Sequence, residues 1–281
     1  MLAGGRSRRF HGDKLRATVR GRSALARVVA AVGPLAADVI VVTSSQPRRR
    51  QLAALLPPST RFSVDRPHRP RPGPAGAISQ AIEELPSGPV LVVPGDVPWI
   101  RTEALRRFVR FAEKARAPIA TVCWPSGETE HLFQWHRGRS LARAVARDRA
   151  STARASEFLR AARRALLVPV SLLTDDARSF RHLTRRSDLS RPSPRGGSGP
   201  WARTGTLPAV ARSAYRRAHA LLSRGRFGDA ARAFDHEADC YDRAVLPILA
   251  RHARIDAERA RREAARGHEA TVNRAVRGDA T

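Results

Sequence analysis

This 281-residue chain carries 52 basic residues, and only two, Lys14 and Lys114, are lysine. Lys14 closes the opening stretch MLAGGRSRRFHGDK, whose residue types suit phosphate chemistry. Gly4-Gly5 permits a tight turn and close backbone approach, with successive N–H groups aimed at phosphate oxygens. Ser7 adds a hydroxyl donor. Arg9 can fork across two oxygens, whereas Lys14 delivers a compact, mobile ammonium. An ammonium that can follow a moving phosphoryl group is a physical reason for one lysine to persist among arginines. Further on, the apolar run PVLVVPGD (89–96) ends in a turn. That places Asp96 at the C-terminal edge of a strand, where open α/β sheets bind ligands. One carboxylate completed by phosphate oxygens and water is an ordinary magnesium environment, and a turn or helix cap is the other reading of such an Asp. His236/Cys240 and His252/Asp256 are each spaced i, i+4. They could bracket a metal between helices, though solvated or core helical faces are the commoner reason for such spacing. There is no G-x-S-x-G, HExxH, paired C-x-x-C or Walker loop.

These residues need elements to hold them. Short β-branched or apolar runs predict strands at 37–45, 61–65, 89–96, 117–124, 131–137 and 165–174. Helical patterns lie between them at 22–33, 48–55, 75–85, 101–115, 139–147, 154–164 and 175–188. Such alternation predicts an α/β sandwich around a mainly parallel sheet. SRPSPRGGSGPWARTGT (190–206) is rich in Pro, Gly and Ser and reads as a linker. Beyond Pro208 only helical spacing remains. Two helices are expected around a turn at Gly225, and a third from about Leu246 to Arg266. The pair resembles one tetratricopeptide-type unit, with Ala218, Ala230 and Ala231 as small positions and Tyr215, Phe227, Phe234 and Tyr241 as bulk. One such unit identifies a fold weakly, and a small helical bundle is the reading taken.

No apolar run approaches the ~20 residues that span a bilayer, and the N-terminus lacks the apolar core of a signal peptide. Two widely separated cysteines, Cys123 and Cys240, give no disulfide framework. A reduced, cytoplasmic protein is expected. The net charge of +27 fits either an arginine-biased composition or an anionic partner. The basic residues are spread along the chain without an RGG array or an aromatic-interleaved patch. This favours small anions such as nucleotides over nucleic acid.

The opening resembles the signature of the molybdenum-cofactor-type nucleotidyltransferases, in which a strand runs into LAGG-x-S-x-R, a small turn and D-K. The matching residues are Leu2, Ala3, Gly4, Gly5, Ser7, Arg9, Asp13 and Lys14. PGPAGAI (72–78), LVVPGDVPWI (91–100) and GETEHLFQWHRG (127–138) resemble, in order, three further elements of that family. They correspond to its G-P-L-A-G-I helix start, its V-P-C-D-x-P strand end and its E-P-L strand. The likeness spans roughly residues 1–189. It implies that Leu2, Ala3, Gly4, Gly5, Ser7, Lys14, Gly73, Pro74 and Gly76 bind a nucleotide, and that Asp96 holds Mg2+. It also implies that an Asp near position 65 contacts the base or ribose. The carboxylate of Asp65 can accept from guanine N1–H and N2–H2, though a plain strand-end Asp fits as well. Three departures stand out. The apolar strand that precedes LAGG in the family is absent, which suggests translation starting upstream. His11 replaces a glycine. The family's late F-x-N-x-N-T-P-x-D-L element reads FRHLTRRSDL (180–189), with His182 and Thr184 in place of two asparagines. Asp175 and Asp176 lie nearby as substitutes or as caps.

The expectation is an α/β fold, with a mainly parallel Rossmann-like nucleotidyltransferase sheet flanked by helices over 1–189, a linker over 190–206 and a small all-α domain over 207–281. By resemblance, a Mg2+-dependent enzyme would transfer GMP from GTP to a phosphorylated acceptor, molybdopterin first, releasing pyrophosphate. Lys14 and Arg9 would be its catalytic residues. The alternatives are CTP as donor or a different phosphorylated acceptor, a catalytically silent nucleotide-binding protein whose helical tail recruits a protein partner, and an RNA-binding protein. The opening lacks the G-T-R and following proline of sugar-phosphate transferases.

Overall fold

The structure, a computed structural model, describes residues 1–4, 7–64, 73–85, 88–142, 154–190 and 199–278. The chain divides into two compact units, Met1–Thr206 and Leu207–Thr281.

In the first unit, β1 (Thr18–Val19) and β2 (Arg22–Ser23) form a small antiparallel ribbon. It leads into α1 (Ala24–Val32), whose Ser23 cap accepts from the Ala26 N–H at 3.2 Å. β3 (Ile40–Thr43) is buried along its whole length, as its IVVT sequence dictates, and pairs in parallel with β4 (Arg61–Val64). Between them runs α2 (Gln46–Ala53). After β4 come α3 (Gly73–Ala81) and β5 (Val90–Val92). Residues 1–3 run between β3 and the end of β5. Leu2 bridges Val42 and Pro94 in parallel, and so joins β3 to the end of β5. Its N–H donates to Val93 O at 2.9 Å, and the Ala3 N–H donates to Val42 O at 2.8 Å. The Met1 amine donates to Ile40 O at 2.6 Å, and burial lowers it to about 5.

α4 (Thr102–Lys114) sinks Ala104, Leu105, Phe108 and Ala112 into the core and leaves its charged residues outside. This is the amphipathic stripe its sequence predicts. β6 (Ile119–Cys123) turns tightly into β7 (Thr129–His136), with Trp124 N–H bonded to Glu128 O at 2.8 Å. So short a connection obliges antiparallel pairing, and β7 pairs antiparallel with both β5 and β6. After α5 (Ser156–Ala161), β8 (Ala165–Pro169) returns parallel to β6. The main core gathers Val93, Val97, Phe108, Val122, Phe133, Trp135, Val168 and Phe180, with Phe133 and Phe180 edge to face at 5.1 Å.

Three expectations need correction. The strand proposed for 165–174 ends at Pro169 and becomes α6 (Val170–Leu173). The helix proposed for 175–188 is two 3-10 turns, Ala177–Phe180 and Arg186–Leu189. Between them Leu183 N–H donates to Asp96 O at 2.7 Å, outside any helix. Asp176 caps the first turn by accepting from Arg178 N–H at 3.1 Å, and pairs with Arg101 at 3.3 Å. Part of the expected linker belongs to the first unit. β9 (Gly205–Thr206) adds antiparallel to β8, and Trp201 N–H reaches Pro125 O at 3.3 Å. Its ring lies against Gly205, where a Cβ would sit 2.4 Å from Cζ3.

The second unit holds α7 (Ala209–Leu222), α8 (Phe227–Arg243) and α9 (Pro247–Gly278), with Gly225 at φ 70° in the first turn. Ala218, Ala230 and Ala231 are buried between helices, with Tyr215, Phe234 and Tyr241 around them, while Phe227 is half-buried. His236 Nε2 lies 4.0 Å from Cys240 Sγ. Among the described residues no group of three or more His, Cys, Asp or Glu is placed to hold a metal, and no helix is long and apolar enough to cross a membrane.

Candidate active site

The site is built where residues 1–3 meet the end of β5. Beyond Val92 the chain runs Val93-Pro94-Gly95-Asp96, and Gly95 N–H donates to Leu2 O at 2.8 Å. Gly95 lets this approach happen, since a Cβ there would lie 3.0 Å from both Leu2 O and Leu25 Cδ1. The two strand ends therefore carry the start of the glycine loop and Asp96 side by side. Ala3 is buried and Gly4 is exposed.

Lys14 comes to Asp96 from the following turn, and Nζ donates to Asp96 Oδ2. Two anchors hold that turn. Leu15 is buried, with its carbonyl accepting from Leu25 N–H at 3.0 Å. Asp13 accepts a two-pronged bond from Arg48 of α2, with Nη2 to Oδ1 at 2.6 Å and Nη1 to Oδ2, and also accepts from Leu15 N–H at 3.1 Å. Burial pushes the Asp13 carboxyl up, but the Arg48 fork outweighs it and the group ends below its usual range. A fork of this kind fixes orientation as well as charge, so Asp13 braces the loop.

A second cationic side chain reaches Asp96 from the segment expected to be helical. His182 Nδ1 lies 2.9 Å from Asp96 Oδ1, and its Nε2 lies 3.0 Å from Glu130 Oε2 of β7. Glu130 Oε1 accepts from Trp124 Nε1–H at 2.7 Å. Burial alone would raise the Asp96 pKa, but His182 and Lys14 together bring it down to about 2. Burial alone would lower that of His182, but the two carboxylates raise it to about 10. Glu130 is likewise held below its ordinary value, against burial, by His182 and Trp124. Asp96 is thus ionised and largely shielded, at 8% exposure.

Of the residues singled out in the sequence, Leu2, Ala3, Lys14 and Asp96 come together. Ser7 opens the turn Arg8–Phe10 at φ 45°, and Arg9 is exposed on that turn. Gly73 and Pro74 are exposed at the start of α3, and Gly76 is buried one turn in. Gln80 ties α3 to β4 through Ser63 Oγ at 3.2 Å and Val64 O. Among the described residues, neither Arg9 nor the start of α3 bonds to the Lys14–Asp96 pair. Gly5 and Asp65 lie outside the described residues. His182, Glu130, Trp124 and Arg48 were not singled out as site residues. Glu130 stands inside the GETEHLFQWHRG stretch, and His182 stands where the family motif has an asparagine.

A divalent cation fits the donor set on one condition. Each Asp96 oxygen receives one donor, and a carboxylate oxygen accepts more than one. The ionised Asp96 can therefore still supply a ligand, provided that phosphate oxygens and water complete the shell.

The sequence profile of the MobA-like NTP transferase domain matches residues 1–166. The chain belongs to that family. A probable molybdenum cofactor guanylyltransferase from Haloferax mediterranei is 34% identical over 103 residues, 36% of this chain and 48% of the relative. The bifunctional protein GlmU of Burkholderia thailandensis is 34% identical over 125 residues, 43% of this chain and 27% of the relative. The chain therefore spans less than half the length of either. In fold it is similar to the crystal structure of molybdopterin-guanine dinucleotide biosynthesis protein A from Archaeoglobus fulgidus. The TM-score is 0.53 at 19% identity, covering 67% of this chain and 93% of that one. The α/β nucleotidyltransferase-like fold read from the sequence is the fold observed.

Proposed function

We propose that this member of the MobA-like family transfers GMP from GTP to a phosphorylated acceptor, with molybdopterin the first candidate, and releases pyrophosphate. The observation that carries the reading is the Lys14–Asp96 pair, set where the glycine-loop strand and β5 end together. Family membership supports nucleotidyl transfer, and the Haloferax relative supports the guanylyl donor and the molybdenum cofactor branch. The likeness to GlmU keeps other acceptors under test.

In the reaction an acceptor phosphate oxygen attacks the α-phosphorus of the nucleotide. A new P–O bond forms, the α–β bridge breaks, and pyrophosphate leaves with the electron pair. No protein nucleophile is required, so the work is positioning and charge stabilisation. The backbone of the opening glycine loop would receive the triphosphate. Lys14 has two N–H donors beyond the one on Asp96 and would stabilise charge at the α-phosphate. Arg9 would steer the outer phosphates. Asp96 would hold Mg2+, whose chemistry when bound is to neutralise the triphosphate and align the reacting oxygens. Gly73, Pro74, Gly76 and Asp65 would border the nucleoside.

The test is pyrophosphate release with molybdopterin and Mg2+, comparing GTP with CTP, with Asp96→Asn alongside. Release with GTP that falls by at least two orders of magnitude in the variant is the expected result. Release with CTP alone would move the chain to the cytidylyl branch. A folded wild-type protein releasing nothing with either would overturn the molybdopterin reading.

A further inference from the structure

Resting on that reading, we propose that His182 is a positioning residue of the active site, a rigid spacer that holds Asp96 against Lys14 by bracing it on Glu130. Its two ring nitrogens point away from each other, so one imidazole can stand between two carboxylates. Here it does so, at 2.9 Å from Asp96 and 3.0 Å from Glu130. A carboxylate only accepts, so each contact is a bond that the ring donates. Glu130 is in turn fixed by Trp124 Nε1–H at 2.7 Å, and Trp124 ends the β6 side of the hairpin that carries Glu130 on its other arm. The main chain makes the same connection, with Leu183 N–H on Asp96 O at 2.7 Å. With Oδ1 turned to His182, Oδ2 is left for Lys14. The orientation of the carboxylate at the reacting centre is therefore set from β7 through His182.

This gives the departure at 182 a function. A short asparagine could keep one of the two bonds. A histidine spans both carboxylates and makes the hairpin part of the site. Outer partners that orient a carboxylate or an imidazole in this way commonly matter nearly as much as the groups they orient.

The atoms of the ring allow a discriminating test. Asparagine Nδ2 overlays histidine Nδ1, and glutamine Nε2 overlays histidine Nε2. His182→Asn thus keeps a donor for Asp96, and His182→Gln keeps one for Glu130. In steady-state pyrophosphate release, His182→Gln is expected to lower kcat on the order of 10²-fold while KM for the nucleotide moves by less than about threefold. His182→Asn keeps the Asp96 bond but loses the brace on Glu130, so it is expected to lower kcat less than His182→Gln, to the level of Glu130→Ala. Glu130→Ala should lower kcat in the wild-type background and add little to His182→Asn, because the bond it removes is already gone. Proton NMR supplies a readout apart from activity. Two exchange-protected ring N–H signals are expected from His182, with the Nε2 signal lost in Glu130→Ala. A folded, active His182→Gln with unchanged kcat, or additive effects of Glu130→Ala and His182→Asn, would overturn the inference and leave nucleotidyl transfer standing. A wild-type protein with no nucleotidyl transfer would overturn both.

Discussion

At Lys14, geometry and charge make different demands. The ammonium sits against a largely shielded carboxylate and keeps donors for a phosphate. A guanidinium in its place would present a planar fork, which grips one carboxylate with two bonds and would leave less for the nucleotide. Lys14→Met is expected to lower kcat by about 10²–10³-fold, and Lys14→Arg to recover little of it, read by steady-state pyrophosphate release. Full activity in Lys14→Arg would mean that only the charge matters and would remove the reason given for a lysine here. Lys14 and Asp96 were legible in the sequence because each is marked locally, one by a glycine turn and the other by a strand ending in Pro-Gly. His182 and Glu130 were not. They lie 52 positions apart, and their meeting depends on how β7 and the 181–184 segment fold against β5. Comparison with a family motif could register His182 only as a missing asparagine.

At the level of elements, the site rests on a backbone approach that one glycine permits. Gly95 leaves little room for a methyl group, since a Cβ would press on Leu2 O, which is backbone, and on Leu25, which is core. Gly95→Ala is expected to destabilise the fold by about 1–3 kcal/mol, the usual cost of overpacking, measured by urea denaturation. It should also lower kcat by disturbing Asp96, its neighbour in the chain. Unchanged stability would mean that the junction of residues 1–3 with β5 is looser than its hydrogen bonds indicate. The strands were legible because IVVT and VLV are short, apolar and rich in β-branched residues. The 175–188 segment misled because its composition allows a helix. Its Asp176 cap closes only a 3-10 turn, and the Leu183 N–H that a helix would use is spent on Asp96. The bounds of β9 were hidden in a Pro/Gly/Ser-rich stretch, because what recruits it is a free edge of β8 and the ring of Trp201 on Gly205.

For the molecule as a whole, several arginines sit in exposed pairs such as Arg106–Glu103 at 2.6 Å and Arg266–Glu263 at 3.0 Å. Exposed pairs of this kind contribute little. One buried titratable group shapes the pH range of the first unit more than these do. His136 is 1% exposed, and burial drives it down to about 3. Its Nε2–H donates to Gln134 Oε1 at 2.8 Å, and the ring meets Phe158 edge-on at 6.1 Å. In the unfolded chain a histidine titrates near 6.5. Between those values the unfolded state binds the proton and the folded state does not, so unfolding is favoured as pH falls. The contribution of His136 is therefore complete above about pH 6.5. It is lost progressively down to about pH 3, at on the order of 1.4 kcal/mol per pH unit. Denaturation midpoints taken from pH 7 to pH 4 should fall along that slope in the wild type. His136→Phe keeps the ring contact and removes the proton, so its midpoints should start lower, for the lost bond to Gln134, and fall less steeply. Parallel slopes in the two proteins would show that His136 takes up its proton while folded, and that the interior around β7 admits more water than its burial implies.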